Sequence, residues 1–396
     1  MDAATATAGW EQRAAALTAE LVAAGVLPDP AWASAFTQVP RHVFVSRVLA
    51  DDRTTVIHAG TPGWVDLVYS DDALLTQAMT AGEGIARQEL PSSSSSRPRV
   101  MAVMLDRLAA RPGQRVLEIG TGTGYNTALL GHRLGADNVY SIDLDPHLVE
   151  KANGHLAEVD QHPHLAPGDG ARGWPEHAPF DRILATCAIT HIPPAWIDQL
   201  AEGGRIVAPL DAGEAGPLLV LDKTAPHEIN GRIDPYPVHF MPMRDHPGNP
   251  LGPGQSTGFT GTAGPHYGTT TLDPATLLTN DPNLALFLWL HAPGLRIASA
   301  ESLGKVYVNT ATALAEATLT PNEDGTWPVT QRGSCRLWDT IEHGHATWLA
   351  LDRPNPTRLG VTAHNTDDGH EDDQYVWLDN PEGAHSWPLI APSAGK

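Results

Sequence analysis

Cysteine is nearly missing from this sequence. Its 396 residues include only Cys187 and Cys335, too few for a disulfide framework or a four-thiolate zinc site, which suits a reducing compartment. Basic residues are scarce as well: 25 Lys and Arg stand against 46 Asp and Glu, a formal net charge of -21 with His neutral. Such a chain repels a phosphate backbone at long range, so no nucleic-acid partner is expected. Long apolar runs are absent. The stretch Leu284 to Leu290 falls far short of the roughly 20 residues that a membrane span needs. The start, Met1-Asp2-Ala3-Ala4, has neither the basic region nor the apolar core of a secretion signal. A cytoplasmic protein with no membrane partner is the expectation. The pairs His162 and His164, and His343 and His345, have no third ligand at a credible spacing, so no metal is expected. Against these absences, 41% of the residues are hydrophobic, enough to bury the cores of two or three domains.

The placement of Gly and Pro divides the chain. Residues 244–268 contain eleven of them in twenty-five positions, with almost no apolar periodicity, as in a linker. We therefore expect an N-terminal domain over 1–245, a Gly/Pro-rich connection over 246–271 and a smaller α+β domain over 272–396. Ala14, Leu17 and Leu21 have helical spacing, closed by Gly25 and Pro28. From Arg115 the pattern alternates: strands at Val116–Ile119, Val139–Ile142, Phe180–Ala185 and Arg205–Ala208, with helices at Tyr125–Leu134, His147–Glu158 and Pro194–Ala201. This alternation predicts an α/β, doubly wound, mostly parallel sheet, whose ligands lie beyond the carboxyl ends of its strands. In the C-terminal part, helices are expected over Pro274–Leu290 and Leu337–Leu351, and strands over Arg358–Thr362 and Gln374–Leu378. Its six tryptophans read as core. The last 36 residues hold seven acids and one base, the composition of a solvated face.

The strongest local signal is Val116-Leu117-Glu118-Ile119-Gly120-Thr121-Gly122-Thr123-Gly124-Tyr125. A strand runs into three alternating glycines and then a helix. The spacing differs from the G-x-G-x-x-G of a pyrophosphate site, and an acid, Glu118, precedes it. An acid facing the ligand disfavours phosphate and suits a cation. Asp143, followed by Leu144, ends the next strand, where a carboxylate accepts ribose hydroxyls. Asp169, within Gly168-Asp169-Gly170, is placed to accept an adenine amino hydrogen. Together these describe a site for a cationic nucleoside, S-adenosylmethionine. A plain tight turn and a dinucleotide site are the competing readings.

With these motifs in order, the sequence resembles the protein-L-isoaspartate O-methyltransferase family. The similarity runs from Val39-Pro-Arg-His-Val-Phe-Val45 through the glycine loop, Gly168–Gly170 and Ala178-Pro-Phe-Asp181. It continues through Ile197-Asp-Gln-Leu-Ala-Glu-Gly-Gly-Arg-Ile206 to Phe240-Met-Pro-Met243, so it covers roughly residues 35–245. The resemblance implies that a Ser just before the first core helix contacts the substrate carboxylate. Ser96 matches that position, with Ser95 and Ser94 as neighbouring candidates in the run Ser92–Ser96. Two departures stand out. The family often has a cofactor-contacting His shortly after the Ser, where this chain reads Arg99-Val100-Met101, and the chain continues for about 150 residues past the family's usual end. The serine run and the Trp-rich extension look like the subgroup associated with ribosomally made peptide natural products. In that subgroup the methylated group is an Asp of a modified precursor peptide, and the ester cyclises to aspartimide.

The implied chemistry needs little acid–base help, because a carboxylic acid with a pKa near ~4 is already ionised at pH 7. The serine is read as an orienting donor and not a nucleophile, since no G-x-S-x-G elbow is present. Arg97 and Arg99 beside the serines, with Arg87 and Arg41 elsewhere, are candidates for a positive patch that receives the acidic acceptor; ordinary surface arginines are the alternative. The expected partner is a peptide or protein bearing Asp or isoaspartate. Repair of isoaspartyl proteins, a small-molecule carboxyl methyltransferase and a non-catalytic cofactor-binding scaffold are the other functional readings.

Overall fold

The computed structural model describes residues 7–81, 88–245, 264–365 and 374–389. Arg87, most of the Gly/Pro-rich connection and the acids Asp367, Asp368, Glu371, Asp372 and Asp373 lie outside the described residues. Strands are numbered in chain order. A hairpin of β1 (Arg47–Leu49) and β2 (Val56–His58) precedes an antiparallel pair, β3 (Leu74–Ala81) and β4 (Gln88–Ser95). There follow β5 (Val116–Ile119), β6 (Val139–Asp143), β7 (His164–Pro167), β8 (Phe180–Ala185) and β9 (Leu200–Pro209). These five pair in parallel in the order β9-β8-β5-β6-β7. The sheet continues antiparallel through β10 (Leu218–Ala225) and β11 (Glu228–Asp234). The expected α/β, doubly wound architecture is present.

The C-terminal part contributes to two sheets. β12 (His266–Thr270), β13 (Arg296–Ala300), β14 (Lys305–Asn309), β15 (Ala313–Thr318) and β16 (Trp327–Gly333) form a separate antiparallel sheet. With the helices Pro282–His291 and Leu337–Ala350 this is the extra α+β layer. The chain then returns to the large sheet. β17 (Leu359–His364) pairs with β11, and β18 (Gln374–Leu378) and β19 (Ser386–Pro388) follow it, completing ten strands. The Gly/Pro-rich stretch expected over 246–271 thus stands between β11 of the large sheet and the separate sheet, and its end, His266–Thr270, is strand β12 and not linker.

Strand alternation explains the packing. Leu117 and Ile119 point into a core shared with Phe287, Trp338, Val361 and Val376 of the C-terminal part. Val116 points to the opposite face, against Leu129 and the N-terminal residues Leu17, Trp32 and Phe44. One difference from the periodicity reading lies at 274–290. The single helix expected there is a 3-10 turn, Pro274–Leu278, followed by the helix Pro282–His291. Pro282 has no N–H and forces the preceding residue out of the helical region. Asp281 is extended and caps the second segment by accepting from Asn283 N at 2.9 Å.

Trp377 on β18 shows how firmly the returning strands are joined. Its indole is buried beneath the Arg232 guanidinium of β11, 4.3 Å from the ring centre, and donates to Thr362 Oγ1 at 3.0 Å. Trp377→Ala should cost about 3–5 kcal/mol. Urea unfolding followed by circular dichroism should show one transition moved to lower denaturant; a separate minor transition would mean that the C-terminal strands unfold independently.

Candidate active site

The parallel strands end around a cavity of about 820 Å³. It lies at the point where the order of connection reverses on either side of β5, the usual crevice of such sheets. The glycine loop, the end of β6, the start of the loop after β8, the serine strand and residues 241–244 all line it.

Gly120 makes the first turn, at φ 99°, where an L side chain is strained. A Cβ there would also lie 2.7 Å from Thr186 Oγ1. Gly124, at φ 87°, brings the helix Tyr125–Leu134 against Ala152, whose Cβ would be 3.1 Å from an added one. Asp143 closes the loop from β6. Gly122 N donates to its Oδ2 at 2.8 Å and Asp145 N to its Oδ1 at 3.0 Å. Burial raises its pKa, while these two donors hold it down. A carboxylate has about four acceptor positions, so the Asp143 group, which lines the cavity, retains capacity for two hydroxyls. Leu144 and Leu148 add an apolar wall. The donor set and the cavity suit an adenosyl ligand.

Glu118 requires a correction. It shares strand parity with Val116, so it points into the layer beneath the Tyr125–Leu134 helix and not toward the cavity. Its carboxylate is fully buried and accepts from Asn126 Nδ2 and Ser141 Oγ, both at 2.7 Å, and from Thr127 Oγ1. Burial raises its pKa. Its role is to tie the helix after the glycine loop to β5 and β6. Asp169 also differs from expectation. Its Oδ1 accepts from Ala171 N at 2.9 Å and caps a 3-10 turn, and Gly170, not Asp169, lines the cavity.

All five serines of Ser92–Ser96 line the cavity; the run is an ordered strand with its end. Ser92 Oγ donates to Gln77 Oε1 at 3.0 Å, and Ser93 Oγ accepts from Thr76 Oγ1 at 3.4 Å. Ser95 Oγ accepts from Arg41 Nε at 3.3 Å and is buried, on the face of the strand opposite Ser94 and Ser96. Among the described residues, Ser94 and Ser96 have no side-chain partner. They share one face of an extended chain.

The arginines sort differently from a surface patch. Arg99 N and Nε each hold an oxygen of Asp71 at 2.8 Å, so Arg99 is committed to a neighbouring turn and lies outside the cavity lining. Arg97 lines the rim, but its Nε donates to Asp71 O at 2.8 Å. Arg41 is fully buried. It donates to the carbonyl oxygens of Val68, Ser70, Asp72, Ser95 and Ser96 at 2.8–3.5 Å. Burial lowers its pKa to about 10. Sequence reasoning passed over Thr186, Cys187, Met243 and Arg244, which also line the cavity; the family motif that ends at Met243 was the available signal for the last two.

The comparisons with known proteins bear on this geometry. The family model described as Protein-L-isoaspartate(D-aspartate) O-methyltransferase matches residues 64–247. A protein-L-isoaspartate O-methyltransferase of Anaeromyxobacter dehalogenans (strain 2CP-1 / ATCC BAA-258) is 40% identical over 182 residues, 45% of this chain and 86% of the relative. The chain belongs to the protein-L-isoaspartate O-methyltransferase family. A relative of the same name from Methylorubrum populi is 36% identical over 231 residues, 58% of this chain and 94% of its own length. A solved structure titled protein-L-isoaspartate O-methyltransferase is 20% identical, with a TM-score of 0.50, and covers 92% of this chain and 99% of its own. That likeness concerns the fold. As a member of the family, this methyltransferase acts on carboxyl groups and takes its methyl group from S-adenosylmethionine.

Asp143→Ala should weaken binding of S-adenosylmethionine by roughly 1–3 kcal/mol, because ribose hydroxyls lose a charged acceptor. Unchanged affinity by calorimetry would refute the ribose role. Arg41→Met should lower folding stability by at least ~3 kcal/mol, since the buried carbonyls that it serves lose their donors; a chemical denaturation curve within about 1 kcal/mol of wild type would refute the bracing role.

Proposed function

We propose that this enzyme methylates an aspartyl-derived carboxylate within a peptide chain, and that Ser94 and Ser96 orient that carboxylate. The observation that carries the reading is the pair of half-buried serine hydroxyls, without side-chain partners among the described residues, on the cavity wall beside the glycine loop. A Cβ on Gly122 would lie 3.7 Å from Ser94 O, so the acceptor strand and the cofactor loop are in contact distance. S-adenosylmethionine supplies an electrophilic methyl group. The acceptor is ionised at neutral pH, so the chain's contribution is placement. Hydroxyl donors hold one carboxylate oxygen and leave the other to take the methyl group.

The ester then reacts without further assistance. The backbone nitrogen of the following residue attacks the ester carbonyl, loses its proton and expels methoxide, which leaves as methanol. A five-membered imide results. Two acceptors fit these steps: isoaspartate in damaged proteins, and a genuine Asp in a ribosomally made, modified precursor peptide. We favour the second, on the serine run that lines the cavity. The extension does not separate the two, because a solved structure titled protein-L-isoaspartate O-methyltransferase covers 92% of the chain.

The full-length protein should convert a precursor peptide encoded beside its gene to a methyl ester, then to a product one water lighter than the substrate by mass spectrometry. Ser96→Ala should slow transfer about tenfold or more, about 1.4 kcal/mol, with cofactor affinity near wild type. Efficient turnover of generic isoaspartyl peptides, with none of the precursor, would overturn the tailoring reading in favour of repair.

A further inference from the structure

The loop after β8 carries Thr186 and Cys187 to the cavity. Its backbone is secured on two sides by the methyltransferase part. Ala188 N donates to Met241 O at 2.8 Å and Met243 N to Ala188 O at 2.7 Å; Ile189 N donates to Pro209 O at 2.9 Å. Ile192, at the far end of the loop, is fully buried. Gln374, the first residue of β18, satisfies both of its backbone groups: Ile192 N donates to Gln374 Oε1 at 2.8 Å, and Gln374 Nε2 donates to Ile192 O at 2.7 Å. Gln374 is itself only 1% exposed. Buried backbone groups need partners, and here they come from 182 residues away.

A second contact reaches the same loop from the extra layer. Arg296 Nη2 on β13 holds both oxygens of Asp211, at 3.0 and 3.2 Å, and Asp211 N donates to Ile189 O at 2.8 Å. At the cavity end, Thr186 Oγ1 donates to Gly120 O at 2.6 Å. The loop is therefore in direct contact with the first turn of the glycine motif, so close that a Cβ on Gly120 would lie 2.7 Å from Thr186 Oγ1.

We propose that Gln374 is a positioning residue for methyl transfer: the C-terminal part fixes the loop after β8, with Arg296 as a second hold, and so sets the wall of the reaction cavity. The loop lies across β5 from Asp143, so its placement bears on the reacting end of the site more than on the ribose. This rests on the cavity being the site of methyl transfer.

The test uses full-length protein. Gln374→Leu removes both hydrogen bonds. Asn230→Ala is the control, because it breaks another side-chain link between the same two parts, Asn230 Nδ2 to Thr362 Oγ1 at 3.0 Å, without touching the loop. Hydrogen exchange at residues 186–192 should be at least tenfold faster in Gln374→Leu and unchanged in the control. With whichever acceptor the wild type turns over, kcat should fall at least tenfold in Gln374→Leu while the Kd of S-adenosylhomocysteine stays within threefold. Asn230→Ala should keep kcat within twofold. Unchanged exchange, or a loss of kcat equalled by the control at matched Tm, overturns the proposal. Should Gln374→Leu not fold, Arg296→Met carries the same two readouts, with unchanged values again overturning it. Exchange requires no acceptor. Lack of turnover by the wild type on either acceptor would instead overturn the functional reading.

Discussion

The acceptor half of the site depends on one buried cation. Among the described residues, Arg41 has no carboxylate within bonding distance; carbonyl oxygens from the turn at 68–72 and from the end of the serine strand surround it. Taking a guanidinium out of water is costly, and its lowered pKa records that cost. It stays charged near neutrality, and the carbonyl dipoles replace the lost hydration. The result is rigidity. A single side chain fixes two segments at once and holds Ser95 Oγ, while Ser94 and Ser96 alternate to the other face of the strand. Tyr125, whose ring lies 5.7 Å from the Arg41 guanidinium carbon, opens the helix after the glycine loop. The acceptor strand and the cofactor loop are therefore braced from the same point.

Much of the parallel half was legible because its signals are local. Apolar runs of four to six residues, glycines at the turns and helical spacing between them locate β5, β6 and β8 and the helix Tyr125–Leu134 at their observed bounds, within a residue. Glu118 was misread because nearness to the glycines was weighed above parity: a strand residue two positions from a turn faces whichever layer its neighbours at even spacing face. Arg41 was opaque for a different reason. Its partners lie 27 to 55 residues away, and nothing local distinguishes a buried arginine from a surface one. The return of β17 to β11 is the same problem on a larger scale, because a strand's own pattern does not name its neighbour.

Charge acts locally here, against the balance of the whole. The chain is strongly acidic, yet in the lining of the cavity Arg53, Arg97 and Arg244 match Asp51, Asp72 and Asp143 in number. Arg244 also acts on Asp143, lowering its pKa against the effect of burial. Long-range repulsion by the remaining surface is screened beyond roughly 10 Å at moderate salt. Contacts within the cavity are screened much less. The cavity is thus less acidic than the chain as a whole.

The sheet that spans both parts of the chain imposes an order on synthesis. Until residues 359–364 have been made, β11 presents an open edge, and until residue 374 appears the loop that ends at Ile192 lacks its buried partner. An open strand edge in a nascent chain invites pairing with another molecule. The β10–β11 hairpin must therefore wait, with its outer edge uncovered, while more than a hundred further residues are added. A ribosome-bound or prematurely ended chain would hold every residue that lines the cavity and still lack the buried partner of Ile192.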